Sequence, residues 1–205
     1  MRIIPVKQGS QEWLDWRKAK ITASDASVIL RTNKYSNPRT LWEEKMDLIS
    51  PKRPNKHMER GRTLEPVARN LFIQQTGVHV EPLVVEHDDL YWMGASLDGI
   101  DDSEDIIVEI KCPMIGGHLG SLIFGEILPM YRAQMQHALY VTGARICYYV
   151  TYNEQWEEKM SIQEVTPDEG FIQHLVEAET TFYKEFMCGS FKCPDTDWRY
   201  KKAAA

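Results

Sequence analysis

The sequence has no apolar run long enough to cross a membrane, and its opening, Met1-Arg2-Ile3-Ile4-Pro5, carries no signal-peptide pattern. Both absences argue against a membrane or secreted protein. Cysteine is scarce as well. Cys112, Cys147, Cys188 and Cys193 form no Cys-x-x-Cys pair, and two of them lie inside apolar strand-like runs. That pattern suits reduced core thiols in a cytoplasmic protein rather than disulfides or a zinc site. There are no internal repeats and no low-complexity segments, so the 205 residues are expected to form one α/β domain.

A net basic charge is also missing. The chain carries −6, which looks wrong for a protein that handles nucleic acid until the charge is divided along its length. Residues 1–62 hold 14 Lys/Arg against 7 Asp/Glu, whereas residues 63–205 hold 10 against 23. Local positive surface, not the total, draws in phosphates. An ordinary solvated surface would give the same counts, so charge is supporting only. Three parts are expected: a basic helical part over 1–62, a core over 63–190, and a tail over 191–205 that frays.

What is present centres on Ile106 to Pro113, which reads Ile-Ile-Val-Glu-Ile-Lys-Cys-Pro. A short β-branched run after an acidic turn predicts a buried strand. Residues two apart share a strand face, so Glu109 and Lys111 point one way while Val108, Ile110 and Cys112 face the core. Opposite charges in an apolar frame need partners. Upstream, Ser96-Leu97-Asp98-Gly99 ends another apolar run, and adjacent strands would bring Asp98 beside Glu109. Two carboxylates and a lysine so held make a hard-cation site with an ammonium that positions a nucleophile, the outline of a metal-dependent phosphodiesterase. The bland alternative is a buried Glu-Lys pair that only orders the sheet. Two further Glu-x-Lys runs, Glu43-Glu44-Lys45 and Glu157-Glu158-Lys159, lack the acidic strand end and are read as decoys.

Elsewhere, Ser10 is expected to cap a helix carrying Trp13, Trp16 and Arg17, with both tryptophans as core contacts. Thr22-Ala-Ser-Asp25 reads as a capping box opening a helix over Ala23 to Leu30. Thr22, Ser24 and nearby Arg17 make a ready phosphate seat, although an ordinary cap would look the same. Asn37-Pro38 caps a helix over Arg39 to Leu48, and Ser50 to Lys56 is expected to be a mobile connection. A helix over His57 to Gln75 has Leu64, Val67, Ala68, Leu71 and Phe72 as its apolar stripe. Glu65 lies at the stripe's edge, within reach of the metal cluster or of Arg69 one turn on. Val78 to Glu86 and Tyr91 to Leu97 read as a hairpin. Gly116, Gly117 and Gly120 suggest a flexible lid, and Pro129 starts a helix closed by Gly143. Two strands follow, over Arg145 to Tyr152 and Lys159 to Val165, then a helix from Thr166 to Gly189.

Glu65, Asp98, Glu109-Ile110-Lys111, and Gln134 with Gln136 in Tyr-Arg-Ala-Gln-Met-Gln-His-Ala-Leu-Tyr together resemble the PD-(D/E)xK nuclease superfamily. More narrowly they are similar to its phage lambda exonuclease, or YqaJ-type viral recombinase, branch, whose opening motif is resembled by Trp13, Trp16-Arg17 and Ile21-Thr22-Ala23-Ser24. The resemblance runs from about residue 8 to about 190. It implies a restriction-endonuclease-like α/β core, a central mixed, mostly antiparallel sheet flanked by helices. It also implies Mg²⁺, with Mn²⁺ as a substitute, held by Asp98, Glu109, the Ile110 carbonyl and Glu65, with Lys111 activating water. Residues matching Arg17, Ser24, Ser96 and Gln134 would hold a 5′-terminal phosphate, with Thr22 and Gln136 beside them. The implied activity is processive 5′-to-3′ digestion of one strand of linear double-stranded DNA, leaving 3′ single strands for recombination by annealing. The implied partners are double-stranded DNA ends, two further copies in a homotrimer ring, and a single-strand annealing protein, in a phage or prophage setting within a bacterial host. The sequence departs from the branch at Leu97, where that branch has proline, and does not match it over Tyr35 to Met58. Three rival readings are an iron–sulfur relative, a restriction-type endonuclease and a non-catalytic DNA-binding module; no Cys precedes the nuclease motifs, which argues against the first.

Overall fold

The apolar runs in the middle of the chain join into one seven-stranded sheet. The computed structural model describes residues 1–50 and 55–187. In chain order the elements are β1 (Arg2–Ile3), α1 (Gln11–Lys18), β2 (Ile21–Thr22), α2 (Ala23–Ile29), α3 (Pro38–Lys45) and α4 (Lys56–Thr76). Then come β3 (Glu81–Glu86), β4 (Met93–Ile100), β5 (Ile106–Lys111), α5 (Ile115–Phe124) and α6 (Pro129–Thr142). Last are β6 (Ile146–Tyr152), β7 (Met160–Val165) and α7 (Glu169–Phe182), which ends in a π-helical turn over Tyr183–Met187.

The sheet order is β1-β3-β4-β5-β6-β7, with β2 pairing with β4 in parallel. β3/β4, β4/β5 and β6/β7 are antiparallel, and β5/β6 is parallel in register from Ile106↔Ile146 to Lys111↔Thr151. A parallel pair needs a long crossover, which α5 and α6 supply. The sheet is thus mixed and mostly antiparallel, as expected. One face packs Leu97, Ile107 and Tyr149 against Trp42, Met135, Leu139 and Phe182. The other packs Val108, Ile110 and Val150 against Ala68 and Phe72 of α4. β5 is therefore covered on both sides, which is why its sequence is apolar apart from Glu109 and Lys111.

Capping follows the local sequence. The Trp13, Thr40 and Phe171 N–H groups donate to Ser10, Asn37 and Asp168 at 3.2, 3.1 and 3.0 Å. Gly77 and Gly143 end α4 and α6 in the left-handed region, at φ 73° and 74°. No helix among the described residues is long and apolar enough to cross a membrane.

Several expectations need correction. The glycines after the central strand form a helix rather than a loose lid. A Cβ on Gly117 would lie 2.9 Å from the Pro113 Cβ, so here glycine permits close packing instead of motion. α5 is pinned by buried His118, whose ring nitrogens meet the Thr151 hydroxyl at 3.0 Å and the Glu158 carbonyl at 2.7 Å. Val67 is exposed, because α4 meets the sheet along Ala68 and Phe72 and Val67 turns off that line. Neither tryptophan of α1 is a core residue. Both are half-buried and spend their indole N–H groups on the sheet, Trp13 on Ser96 and Trp16 on Glu86, each at 2.7 Å. The boundary expected at 62/63 falls inside α4, and β1 and β2 join the sheet from the basic first third. Part of the expected connection (51–54) and the tail lie outside the described residues, as does the expected helix end at Gly189.

Trp16 also lies directly over Gly94. A Cβ there would sit 2.5 Å from the Trp16 ring and 2.9 Å from the Val85 carbonyl oxygen. One neighbour is backbone in the paired strand, which cannot swing aside. Gly94→Ala is expected to destabilise the fold by about 1–3 kcal/mol, the usual cost of overpacking. Urea unfolding checks it, and a midpoint equal to the parent's would refute the packing argument.

Candidate active site

β4 and β5 pair at Ile100↔Ile107 and Gly99↔Val108. Beyond Gly99, the side chain of Asp98 takes over from the backbone ladder, accepting the Ile110 N–H at 2.8 Å. This bond seats Asp98 against the strand that carries Glu109. Glu109 is 5% exposed, and the Lys111 ammonium ion-pairs with it from the same face of β5, as the two-residue spacing requires. From the opposite side of the sheet, α4 brings Glu65 to its edge. Arg69, one turn on, pairs with Glu65 and also donates to the Asp98 backbone carbonyl. The helical pair expected as the bland alternative therefore exists, and it ties the third carboxylate to the first.

The electrostatics are those of a carboxylate cluster short of positive charge. Burial pushes Glu65 up to about 7, and the nearby Asp98 adds to the rise. Burial likewise pushes Glu109 up to about 7 against the pull of Lys111, with Asp98 and Glu65 reinforcing it. Burial raises Asp98 too, despite Lys111 and the Ile110 N–H. Lys111 moves the other way: burial would lower it, but Glu109 and Asp98 hold its ammonium well above the ordinary value. Among the described residues no three His, Cys, Asp or Glu side chains already form a closed cation cage. The donor set nonetheless fits a hard divalent ion. Three carboxylates share two cations, Lys111 and Arg69, at the edge of the core, and further positive charge would relieve their repulsion.

Of the expected phosphate residues, Arg17, Thr22 and Ser24 lie together and Ser96 joins them through Trp13. The Arg17 guanidinium donates to Ser24 Oγ at 2.8 Å and lies over the Trp13 ring, 4.7 Å from its centroid. Trp13 in turn reaches Ser96, two residues before Asp98 in β4, with a bulge between Leu97 and Ile100. Thr22 gives its N–H and its hydroxyl to Asp25, both at 2.8 Å, and its Oγ lies 3.3 Å from Ser24 Oγ. Gln134 sits on α6 between Tyr131 and His137. Tyr131 lies under the Lys111 ammonium, 5.1 Å from its ring centroid, and His137 meets the Gly94 carbonyl of β4 at 3.0 Å. Gln136 is not part of this group. It is buried, donates to the Thr166 carbonyl at 2.9 Å and accepts the Asp168 N–H at 2.8 Å, so its amide is spent on the turn before α7.

Sequence reasoning gave no role at the site to Trp13 or Tyr131, and it treated Arg69 only as a rival to the metal reading. The signals were faint. Arg69 follows Glu65 by four residues, and Tyr131 precedes Gln134 by three, so each shares a helix face with a candidate residue.

Raised carboxylates make the metal-free protein sensitive to pH in a definite direction. Between pH 5 and 7 the folded state keeps protons on Glu65 and Glu109 that an unfolded chain has released, so stability falls as pH rises. Asp25, Glu86 and Asp101 are lowered and act in the opposite sense, but in more acidic solution. Urea unfolding in a chelator should therefore show stability declining across that window, and Glu109→Gln should flatten the decline. A divalent ion at 100 times its Kd should add about 2.7 kcal/mol. Stability that rises from pH 5 to 7 without metal would refute the cluster's electrostatics.

Comparison with known proteins agrees with this geometry. A family model described as the YqaJ-like viral recombinase domain matches residues 12–145. An uncharacterised YqaJ protein of Bacillus subtilis (strain 168) is 27% identical over 183 residues, which covers 87% of this chain and 56% of that protein. An uncharacterised protein of Acanthamoeba polyphaga mimivirus is 27% identical over 77% of this chain and 32% of its own. The chain thus spans about half or less of the length of these curated relatives. Among solved structures, an alkaline exonuclease from Laribacter hongkongensis superposes with a TM-score of 0.79 at 26% identity, covering 95% of this chain and 98% of that one; it is also known in complex with dAMP. A phage-related exonuclease from Haemophilus somnus 129PT shares the fold, with a TM-score of 0.63 at 15% identity over 80% of this chain and 93% of its own. With more than half its length matching that model, the chain belongs to the YqaJ-like viral recombinase domain family.

Proposed function

We propose that the protein is a Mg²⁺-dependent 5′-to-3′ exonuclease, with Mn²⁺ as a substitute. On this reading it digests one strand of linear double-stranded DNA from a 5′-phosphorylated end and leaves 3′ single strands for recombination by annealing. The observation that carries the reading is the convergence of Glu65, Asp98 and Glu109 from three elements around Lys111, with burial and mutual repulsion pushing both glutamates up. The similarity to the Laribacter alkaline exonuclease, and that protein's complex with a nucleotide, support it.

Asp98, Glu109, Glu65 and the Ile110 carbonyl would hold the ion. When bound, it would supply Lewis acidity and charge neutralisation at the phosphodiester. Lys111, firmly charged, orients the attacking water and favours its ionisation through space. Tyr131 packs against that ammonium and limits its swing. Arg69 keeps Glu65 aimed at the cluster. Arg17, Ser24, Thr22, Ser96 and Gln134 form the seat for the terminal phosphate, held by charge-assisted hydrogen bonds. Seating the end there would bring the adjoining phosphodiester over the carboxylates.

Lys111→Ala is expected to remove most cleavage while leaving metal and DNA binding largely intact, whereas Asp98→Ala and Glu109→Ala lose metal affinity too. Linear duplexes with a 5′-phosphate should be digested at least about tenfold faster than those with a 5′-hydroxyl, the worth of one charge-assisted contact, and Arg17→Ala should erase most of that difference. Covalently closed circles should be spared. Near-normal turnover by Lys111→Ala sinks the water-activating role, and cleavage of circles would favour the restriction-type reading.

End-to-end digestion without release requires an enclosed track, which one domain of this size does not provide. A homotrimer ring closed by head-to-tail contacts would enclose it, with the basic first third lining the entrance and a face left for an annealing protein. Light scattering at micromolar concentration should give three times the 23.8 kDa chain mass. A monomer that digests long duplexes processively would refute the ring and leave the metal chemistry untouched.

A further inference from the structure

Lys45 belongs to one of the two Glu-x-Lys runs set aside as decoys, yet it is one of the best-anchored cations in the described structure. It sits at the last position of α3 with its side chain 7% exposed. An ammonium has three N–H donors. Lys45 finds three acceptors: Asp25 Oδ2 at 2.8 Å, the Arg17 carbonyl at 3.0 Å and the Lys20 carbonyl at 2.6 Å. Two of these are backbone carbonyls at the end of α1 and just beyond it. The third is the carboxylate that receives both the N–H and the hydroxyl of Thr22.

Arg17 and Ser24 lie on two short helices, of eight and seven residues. The second is fixed in the core by Ala23, Ala26, Val28 and Ile29, whereas α1 has no buried residue and depends on polar ties for its placement. Lys45 is one such tie, since it bonds the segment carrying Arg17 and the carboxylate that organises Thr22 and Ser24. It also settles the charge. Asp25 is buried close to the seat, and an unpaired carboxylate there would repel an arriving phosphate. Lys45 and Arg17 hold Asp25 ionised, below its ordinary range, even though burial opposes this. With Lys45 present the group Arg17, Asp25 and Lys45 carries one net positive charge, and without it none.

We propose that Lys45 is a positioning residue for recognition of the DNA end, joining the Arg17 and Asp25 segments so that the seat discriminates a 5′-phosphate from a 5′-hydroxyl. This rests on the end-phosphate reading of the site given above. Lys45 touches no substrate; it acts through Arg17 and Ser24.

The test compares the full-length protein with Lys45→Met and with the charge-matched pair Asp25→Asn/Lys45→Met. The readout is the ratio of kcat/KM on linear duplexes differing only in a 5′-phosphate or a 5′-hydroxyl. Lys45→Met should lower that ratio about tenfold, chiefly through KM on the phosphorylated end, because the loss is one charge-assisted interaction. The paired variant should recover part of the ratio, since no unpaired carboxylate remains, while staying below the parent. A residue that merely stabilised the fold would depress both substrates alike and leave the ratio unchanged. Parent-like ratios in the soluble variants overturn the role of Lys45. If Lys45→Met fails to fold, the paired variant decides alone, and a ratio within about twofold of the parent's overturns the role, being less than a single charge-assisted contact. A parent ratio near one overturns the end-phosphate reading, and this inference with it.

Discussion

Glu109 is a buried carboxylate whose counter-charge, Lys111, must also serve the neighbouring Asp98. Burying a charge is costly unless it is paired, and breaking such a pair costs about 3–5 kcal/mol. The fold around this carboxylate is arranged so that the group cannot escape. β5 is covered by Ile107 contacts on one face and by Val108 and Ile110 contacts on the other, and its register with β6 runs through Lys111. The strand therefore cannot rotate the carboxylate into water without losing both halves of the core. Packing therefore holds the carboxylates together, and on the proposed reading a bound cation would relieve their repulsion.

Around that constraint, the remaining groups are held by bonds that replace regular structure. Asp98 stands in for a ladder partner at Ile110, and Arg69 spans from α4 to the Asp98 backbone. Both make the spacing between carboxylates a property of the backbone rather than of free side chains. That is how a site gains pre-organisation. β4 also carries Ser96 two residues before Asp98, which joins the pocket around Arg17 to the carboxylates by a short piece of strand. On the proposed reading, this short offset is what separates the end phosphate from the bond to be cut.

The chain's uneven charge takes on a structural meaning in the first third. Much of its basic excess is not free surface. Lys45 is buried against Asp25, Lys20 pairs with Glu86, and Arg2 also pairs with Glu86. A buried pair adds little net stability, but breaking one by removing a single partner costs about 3–5 kcal/mol. Lys45 ties α3 to α2, Lys20 ties the end of α1 to β3, and Arg2 ties β1 to β3. A second buried pair, His137 with Glu179, does the same on the far side of β4, with the His137 ring reaching the Gly94 carbonyl.

Much of the site is legible in the order of the residues alone. Glu109 and Lys111 share a face because strands alternate, Asp98 ends the neighbouring run, and Ser10, Asn37 and Gly143 mark helix ends through local chemistry. Such rules operate within a few residues, so the sequence by itself determined the five longer strands, most helix boundaries and which residues were candidate ligands, while β1, β2 and α5 went unread. Only the tertiary structure decided which polar groups meet. It spent Gln136 on the turn before α7 while leaving Gln134 on the face between Tyr131 and His137. It packed Gly117 against Pro113 in a helix where glycine suggested a lid, and it gave Trp13, Trp16 and Lys45 partners 83, 70 and 20 residues away. Partners so distant are selected by how helices lie on the sheet, and no local spacing encodes that choice.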